Sequence, residues 1–201
     1  MKGQINRGSL LGEHIYNLAK RNDVNYIVDI GTWNGLGSTK CILDAVVGTR
    51  KEVWSIECNK MLYEEANVHL LFRPDSFHLI HGSLITYTEL EDEALFNGFV
   101  KGANKWLKED LDWLVHTPCV LDQMPTYVDL AVIDGGEYSG WLEFVKLLRR
   151  TRYFVLDDTK TDKHRFTRAF VLENLHKFKV IDDNQVDRNG YMVLEHLDVE
   201  R

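Results

Sequence analysis

Cysteine is scarce in this chain: Cys41, Cys58 and Cys119 are its three, in 201 residues. The number is odd and no C-x-x-C pair occurs, so neither a disulfide framework nor a cysteine-held zinc cluster is expected, and a reducing, cytoplasmic setting is. No apolar run approaches the roughly 20 residues that cross a bilayer. Met1 to Arg7 lack the apolar stretch of a secretory leader, and no membrane partner is expected. Excess positive charge is missing too. Lys+Arg 24 against Asp+Glu 31 leaves a net charge of −7, which works against a grip on a nucleic-acid backbone. The late basic cluster of Lys160, Lys163, His164, Arg165 and Arg168 reads as a solvated helix face rather than a phosphate site. Internal repeats and low-complexity tracts are absent as well.

What is present is the balance of an ordinary globular chain, 44% hydrophobic and 27% charged, with length for one domain over residues 1–201. Leu10, Leu11, Ile15 and Leu18 recur at helical spacing and predict an amphipathic helix over 8–21. Strands are expected at 26–29, 53–57, 77–81, 128–134 and 153–158, with helical patterns between and after them. Two further apolar runs, 178–181 and 191–195, flank Asn189-Gly190, a tight-turn signal. Strands alternating with helices, then a hairpin, predict a three-layer α/β sandwich. Its seven-stranded sheet is mostly parallel and ends in a C-terminal antiparallel hairpin. The connection over about 84–127 is far longer than a strand crossover needs. Its acids (Glu89, Glu91, Asp92, Glu93) and aromatics (Phe96, Phe99, Trp106, Trp113) make it a helical insertion. It serves either as substrate cover or as a structural or oligomer-forming helix pair, which leaves a homo-oligomer open.

Residues 28–40 carry the most chemistry. An apolar strand runs into Asp29, glycines follow at Gly31, Gly35 and Gly37, and a helix opens at Ser38-Thr39. Strand, glycine loop and helix bring a backbone against a nucleotide-like ligand. The spacing differs from the G-x-G-x-x-G of dinucleotide folds. In an open parallel sheet, ligands bind beyond the carboxyl ends of the strands. Those ends are Asp29 to Gly35, Glu57, Gly82-Ser83, Asp134 and Asp157-Asp158. Glu57 stands where an acid accepts hydrogen bonds from two ribose hydroxyls, and Gly82 with Ser83 suits an adenine edge. Asp29 is expected to orient the loop, and Trp33 either packs on the ligand or wedges into the core. Asp134, Asp157 and Asp158, if they converge, need protons or a cation, and hard oxygen ligands suit Mg²⁺. Otherwise they cap helices or face solvent.

The loop Asp-x-Gly-x-x-x-Gly-x-Gly-Ser-Thr resembles the first motif of class I S-adenosylmethionine-dependent methyltransferases. Ile133-Asp134-Gly135-Gly136-Glu137-Tyr138 and Val155-Leu156-Asp157-Asp158-Thr159 are similar to the fourth- and fifth-strand motifs of a subgroup, the small Mg²⁺-assisted O-methyltransferases and cephalosporin-hydroxylase-like proteins. The resemblance implies S-adenosylmethionine held by Asp29, Gly31, Thr32, Trp33, Gly35, Ser38, Glu57, Gly82, Ser83 and Asp134. It implies Mg²⁺ at Asp134, Asp157 and Asp158, and catalysis by Asp134, Glu137 and Asp158. The implied reaction is O-methylation of a small hydroxylated molecule of the sugar or natural-product type. Glu137 departs from the family, standing where relatives carry Lys or His; it is either a fourth acid or the base, with His81 and His164 as other candidates. Two alternatives stay open: a methyltransferase-fold protein that binds cofactor without catalysis, and a nicotinamide-dependent oxidoreductase.

Overall fold

In the computed structural model, residues 5–99 and 104–199 are described. The chain runs α1 (Leu10–Lys20), β1 (Tyr26–Ile30), α2 (Ser38–Val46), β2 (Glu52–Glu57), α3 (Lys60–His69) and β3 (Phe77–His81). The insertion supplies α4 (Tyr87–Phe96), α5 (Lys105–Leu114) and a short 3-10 turn, Leu121–Gln123. Then come β4 (Val128–Ile133), α6 (Gly140–Leu148), β5 (Thr151–Asp157), α7 (Arg165–Glu173), β6 (Phe178–Asn184) and β7 (Tyr191–His196). Local chemistry sets several helix starts. Ser9 caps α1, Asn59 caps α3 and Asn104 caps α5, each accepting backbone N–H groups of the first turn. Thr86 and Glu89 close a reciprocal capping box on α4.

The seven strands form one sheet in the order β3-β2-β1-β4-β5-β7-β6. β1 to β5 are parallel, and β7 runs antiparallel to both neighbours. The expected seven-stranded, mostly parallel sheet with a terminal hairpin is therefore observed. Every residue of β4 is buried, as a central parallel strand covered on both faces requires. Its side chains alternate between layers. Leu130 and Val132 join the core beneath α1 and α2, whereas Ala131 and Ile133 join the one packed against α6. A third cluster, with Leu90, Leu107, Leu111 and Tyr138, ties α4 and α5 to the segment after β4. No helix among the described residues is long and apolar enough to cross a membrane.

One expectation holds and another changes. The tight turn signalled by Asn189-Gly190 is present: the Gly190 N–H returns to the Asp187 carbonyl at 2.9 Å, and the carbonyls of Gly190 and Asn189 accept from Thr159 and Lys160 at 3.1 and 2.9 Å. The basic cluster is solvated only in part: Lys160 and Arg165 are exposed, whereas Lys163 and His164 are buried and the half-buried Arg168 pairs with Asp183. The physical reason is that the chain turns back sharply after β5, so the segment before α7 folds onto the strand ends instead of into solvent.

Candidate functional site

The strand order reverses between β1 and β4, and the loops leaving these two strands touch. Gly31 has φ +88, and a Cβ there would lie 2.2 Å from the Asp134 carbonyl oxygen, so only glycine fits. The Gly31 and Thr32 N–H groups both donate to the Ile56 carbonyl, at 3.0 and 3.1 Å, which ties the loop to the end of β2. Asp29 is fully buried and accepts from Ser38 Oγ at 2.9 Å, Thr39 Oγ1 at 2.6 Å and Ser55 Oγ at 2.8 Å. Burial raises its pKa against the pull of these hydroxyls. The carboxylate thereby clamps the start of α2 to β1 and β2. α2 itself opens at Gly37 without a side-chain cap.

Glu57 closes β2. Its Oε2 accepts the Trp33 N–H at 2.7 Å, and its Oε1 accepts the Asn59 N–H at 2.8 Å. The carboxylate is 5% exposed, and burial pushes its pKa up to about 7. Oε1 also accepts the Cys58 Sγ–H at 3.8 Å; a carboxylate oxygen has two acceptor positions, so Oε2 keeps one beyond its backbone bond. At β3, Gly82 donates to the Glu57 carbonyl, and a Cβ on it would meet Val120 at 2.6 Å. The neighbouring Ser83 is bracketed by Pro118 and Val120 of the insertion.

Asp134, Asp157 and Asp158 do converge, with one oxygen of each lying within 4.8 Å of the others. A cation from the chain stands among them. Lys163 Nζ lies 2.9 Å from Asp134 Oδ1 and 2.9 Å from Asp158 Oδ2. Arg188 Nη2 lies 2.9 Å from Asp157 Oδ2 and 4.0 Å from Asp158 Oδ1. Burial alone would lower the Lys163 pKa, but the charges of Asp134 and Asp158 outweigh it and hold the ammonium protonated. Burial likewise works to raise Asp158, yet Lys163 carries it below the usual carboxylate value. Asp157 is pushed up to about 7 by burial and then by its two acidic neighbours.

Several of these residues rim one cavity of about 480 Å³. Gly31, Thr32, Trp33 and Ser38 line it from the loop, and Glu57, Gly82 and Ser83 from the next two strand ends. Asp134, Asp158, Lys163 and Arg188 form the polar end. Asp29, Gly35, Asp157 and Glu137 are not among its lining residues. Gly35, at φ +81, makes room for Leu70, the residue that follows α3. Glu137 is half-buried, and burial raises its pKa while a bond from Thr161 opposes the rise. His81 faces the Cys58 carbonyl at 3.2 Å. His164 is fully buried between Thr167 and the Ile133 carbonyl, and burial lowers its pKa to about 3, so it is a neutral structural group. The insertion covers part of the cavity, since Trp106 and Trp113 of α5 reach its wall.

No family model and no curated protein sequence matches this chain. Solved structures match its fold. An O-methyltransferase from Bacillus cereus in complex with S-adenosylhomocysteine superposes with a TM-score of 0.62 at 11% identity, over 96% of this chain and 83% of that one. The S-adenosylhomocysteine-bound methyltransferase PaMTH1 of Podospora anserina gives 0.60 at 13% identity, over 93% and 78%. The O-methyltransferase TomG of Streptomyces achromogenes, in complex with S-adenosylmethionine, gives 0.57 at 13% identity, over 96% and 82%. This is a class I S-adenosylmethionine-dependent methyltransferase fold.

Within the methyltransferase fold, four residues of the cavity region escaped the sequence reading. Lys163 and Arg188 are two. The others are Glu143 of α6 and Asp110 of α5, both buried, and both pushed up to about 7 chiefly by that burial. Gly135 and Gly136 let them in: a Cβ on Gly135 would meet the Glu143 carboxylate at 2.9 Å, and one on Gly136 would meet Asp110 at 2.7 Å. Paired glycines directly after a strand-end acid were the available signal. Glu143 lines the cavity, and its Oε2 has no hydrogen-bond partner among the described residues.

Proposed function

We propose that this chain transfers the methyl group of S-adenosylmethionine to the oxygen of a small hydroxylated molecule of the sugar or natural-product type. The observation that carries this reading is the Glu57 carboxylate. It is held by two backbone N–H groups and the Cys58 thiol, keeps an open acceptor position on Oε2, and sits on the cavity wall beside the glycine loop. That position, together with Oε1 once a ligand displaces the weak thiol donor, suits the vicinal hydroxyls of a ribose. The uncapped start of α2 at Gly37-Ser38 leaves helix N–H groups for a ligand carboxylate. Ser83 and the unpartnered Glu143 Oε2 suit the polar edge of adenine. Asp29 and Gly35 act by holding the loop in shape.

When bound, S-adenosylmethionine supplies an activated methyl, which leaves neutral S-adenosylhomocysteine once the carbon–sulfur bond breaks and the oxygen–carbon bond forms. The chain's own task is alignment, exclusion of water and removal of the hydroxyl proton. Asp134, more exposed than Asp158 and on the cavity wall, takes that proton. Glu137 is not among the lining residues and supports the Thr161 turn.

The donor chemistry of Asp134, Asp157 and Asp158 suits Mg²⁺, but Lys163 and Arg188 already pair with all three. The set does not fit a divalent ion without eviction of the lysine, and no step is routed through one. The three free cysteines suit a reducing, cytoplasmic setting.

Calorimetric titration with S-adenosylhomocysteine, followed by transfer of labelled methyl to a panel of sugars and phenols, tests the reading. Binding with turnover supports it. Binding without turnover across the panel assigns a non-catalytic methyltransferase-fold protein, and binding of NADH in place of S-adenosylhomocysteine overturns it.

A further inference from the structure

Mg²⁺ takes oxygen ligands at about 2.0–2.1 Å in near-octahedral array. One oxygen of each of the three carboxylates lies within 4.8 Å of the others. Lys163 Nζ borders that space, 2.9 Å from Asp134 and 2.9 Å from Asp158, while Arg188 pairs with Asp157 at 2.9 Å. Two chain cations thus face three carboxylates, so most of the charge that would draw a dication is already balanced. An ion entering here would also have to displace an ammonium whose side chain is 7% exposed.

The local backbone blocks that displacement. Asp158 adopts φ 56, the Thr161 N–H returns to the Asp158 carbonyl at 3.1 Å, and the Lys163 N–H donates to Thr161 Oγ1 at 3.3 Å. The Lys163 carbonyl packs so closely on Gly140 that a Cβ there would lie 2.5 Å away. The next residue, His164, is buried and bonded to the Ile133 carbonyl at 3.3 Å. The lysine is therefore delivered onto the acids by a turn that is pinned on both sides. An ammonium has three N–H donors. Two go to Asp134 and Asp158, and Lys163 lines the cavity with the third available to a ligand oxygen.

We propose that Lys163 is the resident cation of this site: its ammonium replaces a divalent metal among Asp134, Asp157 and Asp158 and binds the oxygen of the methyl acceptor. The placement of the acceptor rests on the methyltransferase reading; the exclusion of metal does not. The test is a Mn²⁺ titration of the full chain with and without saturating S-adenosylhomocysteine, with free Mn²⁺ read by electron paramagnetic resonance. Wild type is expected to take up no stoichiometric Mn²⁺. Lys163→Ala opens the centre and is expected to bind one Mn²⁺ per chain, tighter than wild type by about tenfold or more. Lys163→Met, which keeps the buried stem, takes its place if the alanine variant does not fold. Stoichiometric Mn²⁺ uptake by wild type overturns the proposal, and so does a folded Lys163 variant that binds no better than wild type. Calorimetry with S-adenosylhomocysteine on the same wild-type sample separates the two readings, because loss of cofactor binding there leaves the Mn²⁺ comparison unaffected.

Discussion

Cofactor affinity should follow the ionisation of Glu57. Burial holds this carboxyl at about 7 in the ligand-free chain. Only the ionised form can accept from Trp33, Asn59 and the weak Cys58 thiol donor and still offer an acceptor position to a ligand. A protonated oxygen becomes a donor and faces either a backbone N–H or a ribose hydroxyl, both donors themselves. Binding at acid pH must then release a proton. For a group titrating at about 7, affinity at about pH 6 is expected to be roughly tenfold below that at about pH 8. Glu57→Gln replaces one acceptor oxygen by an amide donor. Loss of a hydrogen bond to a charged group, about 1.5–3 kcal/mol, corresponds to roughly 10- to 150-fold weaker binding, and the variant's slope should be shallower than that of wild type. Asp110 and Glu143 also stand at about 7 but persist in both proteins, so the difference between the two profiles isolates Glu57. Calorimetry with S-adenosylhomocysteine, in buffers of differing ionisation enthalpy, counts the released protons. A flat wild-type profile, or a Glu57→Gln slope equal to that of wild type, refutes the reasoning.

The other predictions concern stability. His164 is held neutral, first by burial and then by the neighbouring Lys163 charge, with its pKa lowered to about 3. Its contribution is complete above the unfolded value near 6.5 and is lost as pH falls from there toward 3, at about 1.4 kcal/mol per pH unit. Denaturant unfolding of wild type and His164→Gln, from neutral to about pH 4, should therefore converge as the medium is acidified; parallel curves count against a neutral buried imidazole. Gly31→Ala places a methyl 2.2 Å from the Asp134 carbonyl oxygen at φ +88. It is expected to cost about 2 kcal/mol or more, a fall in Tm of roughly 4–8 °C. An unchanged Tm in a thermal scan shows that the contact between the β1 and β4 loops is looser than described.

Much of the fold was legible because it rests on local pattern. The Ile27-Val28 and Val132-Ile133 runs are apolar on both faces, as strands covered on both sides must be. Each such run ends in an acid or a glycine where a parallel sheet places its ligand edge. Glu57 could be picked out from its spacing to the glycine loop, and Asp134, Asp157 and Asp158 from their positions at two strand ends. The Asn-Gly signal marked the turn over 187–190, but the pairing of that turn with residues 159–160 was not legible, because it joins segments far apart in the chain.

The sequence by itself determined which strands exist, where they stop and which acids stand at their ends, since these follow from apolar periodicity and chain order. Only the tertiary structure decided what those acids face. Lys163 is 29 residues from Asp134, inside a stretch whose charges read as solvent-exposed. It is turned inward by the left-handed bend at Asp158 and by close packing on Gly140. Arg188 comes from a hairpin loop on the far side of β5. Charge balance at a buried site is a property of what the chain brings together across distance, and local spacing holds no record of it.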